Sequence, residues 1–275
     1  GWQAVEQSGG EEAQQINFGY LLYESTLEKQ DSLLREYALK WLEKYPDNQV
    51  AQHMGNAVLN RAVRPRANDE YLKNIFDIFA PDFEQVLTGL DYRAPELIRC
   101  LLEEIYGSKK SPRLRILDAG CGTGFCGGFL KKYSSFRGLY GVDISEKMLE
   151  QAQAKKVYSH LLQSELEQYF SQAKTKFDLI VSADVFTYFG SLEKLLSGMA
   201  DSLSAGGRVI FTVSENNLND DDYFLHSSGR YLHHQNYVGK VLEKVGFEVE
   251  KLERAKLRNE GENIVYGYVV SALKK

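Results

Sequence analysis

The stretch LRILDAGCGTGFCGG, residues 114–128, joins a short apolar run to a turn in which glycines recur two or three residues apart. An apolar run that leads into such a turn and then into a helical pattern predicts the first strand, turn and helix of a nucleotide-binding α/β fold. The glycines fit two signatures. Gly120, Gly122 and Gly124 spell G-x-G-x-G, whereas Gly122, Gly124 and Gly127 spell the G-x-G-x-x-G of dinucleotide-binding folds. The choice between them decides which ligand the turn accepts.

Short apolar runs and helical patterns alternate along the chain after this turn. Strands are predicted at 113–118, 138–143, 157–163, 177–182 and 207–213, and helices at 125–133, 146–155, 192–203 and 235–245. Two further strands, 247–252 and 263–273, have no helix-sized segment between them and must run antiparallel. We therefore predict an α/β fold with a Rossmann-like seven-stranded sheet, in which five parallel strands are followed by a terminal antiparallel hairpin. A dinucleotide-binding fold would instead end with a sixth parallel strand.

The region before residue 93 has a helical pattern throughout. In residues 31–45 apolar side chains recur at three- and four-residue steps, a Pro-Asp-Asn break follows, and another helix is predicted at 50–62. We divide the chain into an N-terminal all-helical cap, residues 1–92, and an α/β domain, residues 93–275.

One part of the cap resembles a repeat motif. The stretch KWLEKYPDNQVAQHMGNAVL is similar to the helix–turn–helix junction of a tetratricopeptide repeat, with Met54-Gly55 where the repeat has Leu-Gly. Val58 stands where the repeat has an aromatic residue. A single degenerate repeat predicts a cap rather than a solenoid, so a protein partner of the helical region is possible but not favoured.

Composition excludes several classes of protein. With 43% hydrophobic and 26% charged residues, no apolar run long enough for a membrane and no signal-peptide pattern, the chain is predicted to be cytoplasmic, without membrane contact. Three cysteines without a C-x-x-C pair indicate neither a disulfide framework nor a zinc site, and we expect no metal. The net charge of −5 argues against nucleic acid as partner and favours a small-molecule substrate.

Register and charge choose between the two glycine signatures. If Gly122 opened the dinucleotide signature, four residues would separate it from the apolar run that ends at Leu117. Asp118 would also repel a pyrophosphate, at a cost on the order of several kcal/mol in a partly desolvated site. S-adenosylmethionine (SAM) has no phosphate and carries an ammonium and a sulfonium group, so the acid favours SAM. An NAD-binding oxidoreductase remains the disfavoured alternative.

Polar residues follow each of the next three strands. Asp143 is expected to accept hydrogen bonds from ribose hydroxyls; its alternative role, as a helix N-cap, can be filled by Ser145. Ser164 and Glu165 follow the third strand, where an adenine edge is expected, although Glu165 could equally begin a helix. Asp184 follows the fourth strand and is expected either to steer the substrate or the cofactor cation, or to cap the turn.

Four stretches, DAGCGTG, GVDIS, FDLIVSADVF and LSAGGRVIFTVS, match the sequential motifs of class I SAM-dependent methyltransferases over residues 114–213. The flanking stretches FAPDFEQVLTGLDYRAPELI, HSSGRYLHHQNYVGKVLEKVGF and LRNEGENIVYGYVV resemble the uncharacterised bacterial methyltransferases that carry tetratricopeptide repeats. The resemblance implies SAM as methyl donor, S-adenosylhomocysteine (SAH) as product, and cofactor roles for Asp118, Gly120, Gly122, Gly124, Asp143, Glu165 and Asp184. Ile144, Met148, Ser164 and Val185 complete the predicted cofactor site.

Candidate catalytic residues cluster in the insertion at residues 214–237, which holds three of the five histidines. Such insertions lie over the carboxyl edge of the sheet, where ligands bind. One hypothesis is that His233 or His234 is a base or substrate ligand and that Arg230 binds an anionic substrate group. The other, equally open for the histidines, is that the segment packs as the lead-in to a helix. Tyr188, after the fourth strand, completes the candidate catalytic set.

The predicted function is methyl transfer from SAM to a small-molecule acceptor, in specialised metabolism. The histidine-rich insertion slightly favours O-methylation over N- or C-methylation. No N-P-P-Y-like turn follows the fourth strand, which weakens methylation of nucleobases and glutamine. A non-catalytic protein that uses the helices as a scaffold for a partner is the alternative. If the cap packs over the sheet edge, the aromatic stretches 18–23 and 71–79 would cover the site.

Overall fold

The computed structural model describes residues 1–27, 31–61, 64–107 and 113–275. The helices that precede the sheet are α1 (Trp2–Gln7), α2 (Glu12–Leu27), α3 (Asp31–Lys44), α4 (Gln49–Val58), α5 (Asp69–Phe79), α6 (Phe83–Gly89) and α7 (Ala94–Tyr106). The helix predicted at 50–62 corresponds to α4, and residue 62 lies outside the described residues. The first six of these helices build the cap, and α7 leads into the sheet.

The remaining described residues alternate between strands and helices. The strands are β1 (Leu114–Ala119), β2 (Ser134–Asp143), β3 (His160–Gln163), β4 (Phe177–Ser182), β5 (Leu203–Ser214), β6 (Tyr223–Leu225), β7 (Tyr231–His233), β8 (Phe247–Glu260) and β9 (Asn263–Lys274). The helices are α8 (Gly127–Tyr133), α9 (Glu146–Ala154), α10 (Leu166–Gln172), α11 (Glu193–Ser202) and α12 (Gln235–Lys244).

The main sheet formed by the described residues has seven strands in the order β3-β2-β1-β4-β5-β9-β8. Strands β1 to β5 run parallel, whereas β9 runs antiparallel to both β5 and β8. This is the predicted fold. Chain order reverses between β1 and β4, and ligands of open α/β sheets bind at such a switch point, beyond the carboxyl ends of the strands.

The two central strands are apolar because both of their faces are covered. Leu117 of β1 and Ile180 of β4 pack in the core with α10, α11 and α12, whereas Ile116 and Val181 pack on the other face with α7 and α8. All four side chains are fully buried. This two-sided packing holds the ends of β1 and β4 in place and so positions the turns that follow them.

The cap has its own core and is tied to the sheet domain. Trp41 is fully buried, stacks edge-on to Phe18 with a ring separation of 5.0 Å, and donates its indole N–H to Gln15. At the junction, Asp77 of α5 accepts a hydrogen bond of 2.6 Å from Ser145, at the start of α9. This contact fixes the cap over the carboxyl edge of the sheet, so the aromatic stretch 71–79 reaches the site, whereas Phe18 and Leu22 belong to the cap core.

The sequence patterns do not predict two features of the structure. The insertion at 214–237 contains a small hairpin, β6–β7, whose tip docks on the cap: His53 donates from Nε2 to the carbonyl of Gly229 over 2.7 Å. β8 extends to Glu260 rather than to residue 252, because it pairs with β9 along its length. Charged residues on its outer positions hide the strand pattern in the sequence, so the predicted strand ends too early.

No helix among the described residues is long and apolar enough to cross a membrane.

Candidate functional site

A cleft opens at the carboxyl ends of β1, β2 and β4, beneath α5 and α6 of the cap. It encloses about 1020 Å³, open space at its mouth included. We call the part formed by Asp118, Gly120, Gly122 and Asp143 the turn side. The facing part is the cap side, formed by Leu72, Phe76, Phe83, Leu87, Tyr92, Tyr188 and Arg230.

At the glycine turn, backbone that carries no side chains lies at the cleft. Gly120 has a φ of +74°, and a Cβ there would lie 2.3 Å from Cγ2 of Val185. Gly122 has a φ of +52°, and its nearest neighbour in the direction of a Cβ is the ring of Phe83, 3.8 Å away across the cleft. The missing side chain of Gly122 therefore leaves a cradle in which a ligand can approach the backbone closely. Gly127 instead packs against Tyr158, as a helix-packing residue.

Asp143 links the turn to the end of β2. Its carboxylate accepts hydrogen bonds from the backbone N–H of Gly122 over 2.8 Å and of Ser145 over 2.9 Å. Ser145 is itself the N-cap of α9, so Asp143 is not needed for that role. Burial raises the pKa of Asp143 to about 6, against the opposing effect of these N–H donors. A carboxylate offers about four lone-pair positions, so Asp143 can still accept a hydrogen bond from a diol.

Asp118 lies at the end of β1, almost fully buried, and accepts a hydrogen bond of 2.6 Å from the hydroxyl of Tyr158. Burial raises the pKa of Asp118 to about 7, which the Tyr158 hydrogen bond opposes and the charge of Asp143 reinforces. A cation placed against these two carboxyls would lower both pKa values again. The turn side thus has the charge that a cationic ligand requires.

The residues predicted to face adenine are held by local hydrogen bonds. Glu165 is the N-cap of α10, and its carboxylate accepts from the backbone N–H groups of Glu167 and Gln168 over 2.9 and 2.8 Å. The hydroxyl of Ser164 donates to the carbonyl of Glu165. Glu165 therefore takes the alternative role, as the start of a helix, while still lining the cleft. Ile144, Met148 and Val185 line the same cleft.

Asp184 follows β4 in the left-handed region, with a φ of +57°. Its backbone N–H donates to Oγ1 of Thr212 over 2.9 Å, and its carboxylate lies 3.2 Å from Nη1 of Arg258 through either oxygen. Arg258 is 2% exposed and comes from the part of β8 that the sequence pattern does not predict. The negative charge of Asp184 is therefore compensated inside the protein.

Arg258 belongs to a buried charge network that ends at the cleft. Its Nη2 lies 2.8 Å from Oε1 of Glu260, and Arg230 pairs with the same oxygen through Nη1. The hydroxyl of Tyr23, on α2, donates to Oε2 of Glu260 over 2.7 Å. Burial would raise the pKa of Glu260, but the two guanidinium groups and this hydroxyl lower it to about 2.

Arg230 and Tyr188 both line the cleft, so the structure brings these two candidates to one place. Arg230 is the one Lys, Arg or His among the described residues that line it. Its side chain is 22% exposed, and a guanidinium group carries five N–H donors, of which the contacts with Glu260 and the Tyr188 hydroxyl occupy two. Burial raises the pKa of the neighbouring Tyr188 phenol, which is therefore neutral.

The structure brings neither candidate histidine to the cleft. His233 is fully buried in β7, and its Nε2 donates to the carbonyls of Phe189 and Gly190 over 2.8 and 3.2 Å. Burial lowers its pKa to about 4. His234 is the N-cap of α12 and accepts from the backbone N–H of Asn236. Both imidazoles hold the hairpin and the following helix in place, so the hypothesis of a histidine base at the acceptor has no geometric basis.

No group of three or more His, Cys, Asp or Glu residues that could hold a metal ion occurs in the described part of the chain.

Residues 117–211 match the family described as "Methyltransferase domain". Human methyltransferase-like protein 27 is 43% identical over 89 residues, which is 32% of this chain and 35% of that protein. The malonyl-[acyl-carrier protein] O-methyltransferase of Priestia megaterium is 26% identical over 151 residues, which is 54% of this chain and 53% of that protein. The chain thus spans about a third to a half of the length of these curated relatives.

Among solved structures, magnesium protoporphyrin IX methyltransferase from Synechocystis PCC 6803 with bound SAH is similar, with a TM-score of 0.58. The identity is 19%, and the match covers 75% of this chain and 99% of that one. At this identity the likeness shows the fold, which this chain shares with that methyltransferase.

Proposed function

We propose that this protein is a SAM-dependent methyltransferase that transfers a methyl group to an oxygen of a small-molecule acceptor. The observation that carries the proposal is the turn side of the cleft. There the cradle at Gly122 adjoins two buried carboxyls, Asp118 and Asp143, and the described residues that form the turn side include no Lys, Arg or His. An anionic pyrophosphate would meet like charges at this position, whereas a cationic nucleoside meets opposite ones.

The residues of the turn side fit the cofactor that the fold implies. Asp143 would accept hydrogen bonds from the ribose hydroxyls, Asp118 would balance the positive charge, and Ile144 with Met148 would pack against the base. When bound, SAM supplies a methyl group on a sulfonium, which is a strong electrophile. The chain's own residues then have to orient the acceptor and exclude water, and the apolar cap side is suited to both tasks.

Methylation of oxygen draws support from two sources. The cap side is largely apolar and offers one cation, which suits an oxygen-bearing acceptor better than an amine. One relative is named an O-methyltransferase, of malonyl-[acyl-carrier protein].

We also retain the proposal that the cap is related to those of bacterial methyltransferases carrying tetratricopeptide repeats. It draws support from the close packing of Gly55 in α4 against Leu42 in α3.

Calorimetric titration with SAM, SAH and NAD tests the cofactor. We expect SAM and SAH to bind and NAD to bind far more weakly or not at all. Tight binding of NAD without binding of SAM would instead support an oxidoreductase. Failure of all three to bind would support the non-catalytic scaffold.

A further inference from the structure

The cap side holds an apolar surface with one cation at its end. Six large apolar or aromatic side chains contribute to it: Leu72, Phe76, Phe83, Leu87, Tyr92 and Tyr188. Arg230 adds the cation and retains guanidinium donors beyond the one that pairs with Glu260. A planar guanidinium with free N–H groups in a largely apolar pocket binds a carboxylate well, because both partners are shielded from water.

The charged residues next to Arg230 leave its guanidinium group able to bind a ligand. Arg258 and Arg230 share the carboxylate of Glu260, and Arg258 has a second partner in Asp184. The single negative charge of Glu260 is therefore divided between two guanidinium groups. Glu260 is also held by Tyr23, so its position does not depend on Arg230 alone.

The cleft offers no free base, among its described residues, to an acceptor that must lose a proton. Each of its four carboxyls already has a role: Asp118 and Asp143 are proposed to bind the cofactor, Glu165 caps α10, and Asp184 pairs with Arg258. The described residues that line the cleft include no His or Lys. An alcohol acceptor needs a base at this point, whereas a carboxylate is ionised at neutral pH and needs none.

From these observations, and resting on the proposed methyltransferase function, we propose that the acceptor is the carboxylate of an apolar molecule and that Arg230 binds and orients it. A lone pair of one carboxylate oxygen forms a bond to the methyl carbon while the sulfur–methyl bond breaks and its electron pair stays on sulfur. The products are a methyl ester and SAH, and no proton is transferred. Arg230 thus determines specificity for acids over alcohols.

The binding test uses the protein saturated with SAH, after SAH binding itself has been measured. The probes are phenylacetate, octanoate and dodecanoate, each compared with the primary alcohol of the same carbon skeleton. We expect at least one acid to bind about tenfold or more tightly than its alcohol, as a desolvated charge pair requires. Arg230→Met should abolish this preference, and Arg230→Lys should restore part of it. Arg254→Met, which removes an arginine–glutamate pair outside the cleft, should leave the preference unchanged.

The product test uses SAM with a labelled methyl group and the same probes. A methyl ester releases labelled methanol in mild alkali, whereas an ether or a methylamine does not. Binding of an acid without ester formation would overturn the assignment of the carboxylate as acceptor. The proposal is also overturned if no acid binds more tightly than its alcohol, or if Arg230→Met keeps the preference. Failure of the unmodified protein to bind SAH would instead refute the methyltransferase function itself.

Discussion

The turn side and the cap side of the cleft are built over different distances along the chain. On the turn side, Asp143 holds the backbone of Gly122, 21 residues away, and its carbonyl accepts the backbone N–H of Ser164. On the cap side, Tyr23 reaches Glu260 across 237 residues, and His53 reaches Gly229 across 176. The turn side is thus a local unit of the sheet, whereas the cap side exists only after the cap has docked. A mutation that disrupts one side should therefore leave the other side intact, and the following changes test this independence.

The largest effect is expected from Asp143→Ala. The change removes the carboxylate proposed to bind the ribose hydroxyls and leaves the N–H of Gly122 without its acceptor. Hydrogen bonds to a charged group contribute about 1.5–3 kcal/mol each, so we expect SAM affinity to fall by about a thousandfold. Calorimetric titration with SAM measures the change. Asp91→Ala, which removes an exposed carboxylate paired with Lys256, is the control and should leave SAM affinity unchanged.

Gly120→Ala should disturb the turn side next most strongly. A Cβ at Gly120 would lie 2.3 Å from Val185, and the residue has a φ of +74°. Backbone strain and overpacking together should lower the free energy of unfolding by about 3 kcal/mol. Gly128→Ala is the matched control, because Gly128 lies in α8 with open space where the Cβ would be. Equal thermal stability of the two variants would show that the turn tolerates side chains.

This difference explains how much of the site can be predicted from the sequence. The turn side follows from local patterns, because strand ends, glycines and the acids after them lie close together in the chain. The pattern predicts Asp118, Gly120, Gly122, Gly124 and Asp143 at one site; four of them line the cleft, whereas Gly124 packs against Tyr158 and Ala152. Their roles towards a ligand stay predictions.

The cap side follows from the sequence only in part. Arg230 and Tyr188 are candidates by their chemistry, but their common position depends on the hairpin β6–β7 docking on α4. The sequence pattern does not single out Glu260, because the outer face of β8 is charged and resembles a loop. The histidines mislead because abundance in an insertion does not say which way a ring points: His233 turns into the core.

Gly229→Ala tests whether the hairpin must dock for the cap side to form. Gly229 has a φ of +76°, and a Cβ there would lie 2.4 Å from Sδ of Met54 in the cap. Gly261→Ala is the matched control, since Gly261 also has a positive φ, of +59°, but no neighbour within 4 Å. We expect Gly229→Ala to lose about 2 kcal/mol more unfolding free energy than the control, because only it adds a clash to the strain. SAM affinity should be equal in both, and a loss of SAM binding in Gly229→Ala would contradict the independence of the two sides.

The pH dependence of SAM binding should report the turn side alone. In the ligand-free protein the pKa of Asp118 is raised from 3.8 to about 7 and that of Asp143 to about 6, and SAM is expected to bind the ionised forms. Affinity should therefore level off above about pH 8 and fall at lower pH, by up to about tenfold per pH unit for each displaced proton. Stability of the ligand-free protein should change in the opposite direction. A raised carboxyl pKa contributes stability that is present below about pH 4 and lost as the pH rises through the folded value. In a series of SAM titrations at different pH, Asp118→Asn should remove the step at the higher pH from the affinity profile. An unchanged profile would show that Asp118 does not cause this step.

The smallest effect is expected from Tyr23→Phe, which removes one hydroxyl from the cap side. That hydroxyl donates to Glu260 over 2.7 Å, and Glu260 keeps Arg230 and Arg258 as partners when it is gone. The unfolding free energy at neutral pH should therefore fall by only about 1 kcal/mol, measured by denaturant titration. Tyr169→Phe is the control, because no hydrogen bond of the Tyr169 hydroxyl occurs among the described residues, and it should be nearly neutral. SAM affinity should not change in either variant, since neither residue lines the cleft. A Tyr23→Phe variant that weakened SAM binding would mean that the charge network, through Asp184, couples the cap side to the turn side.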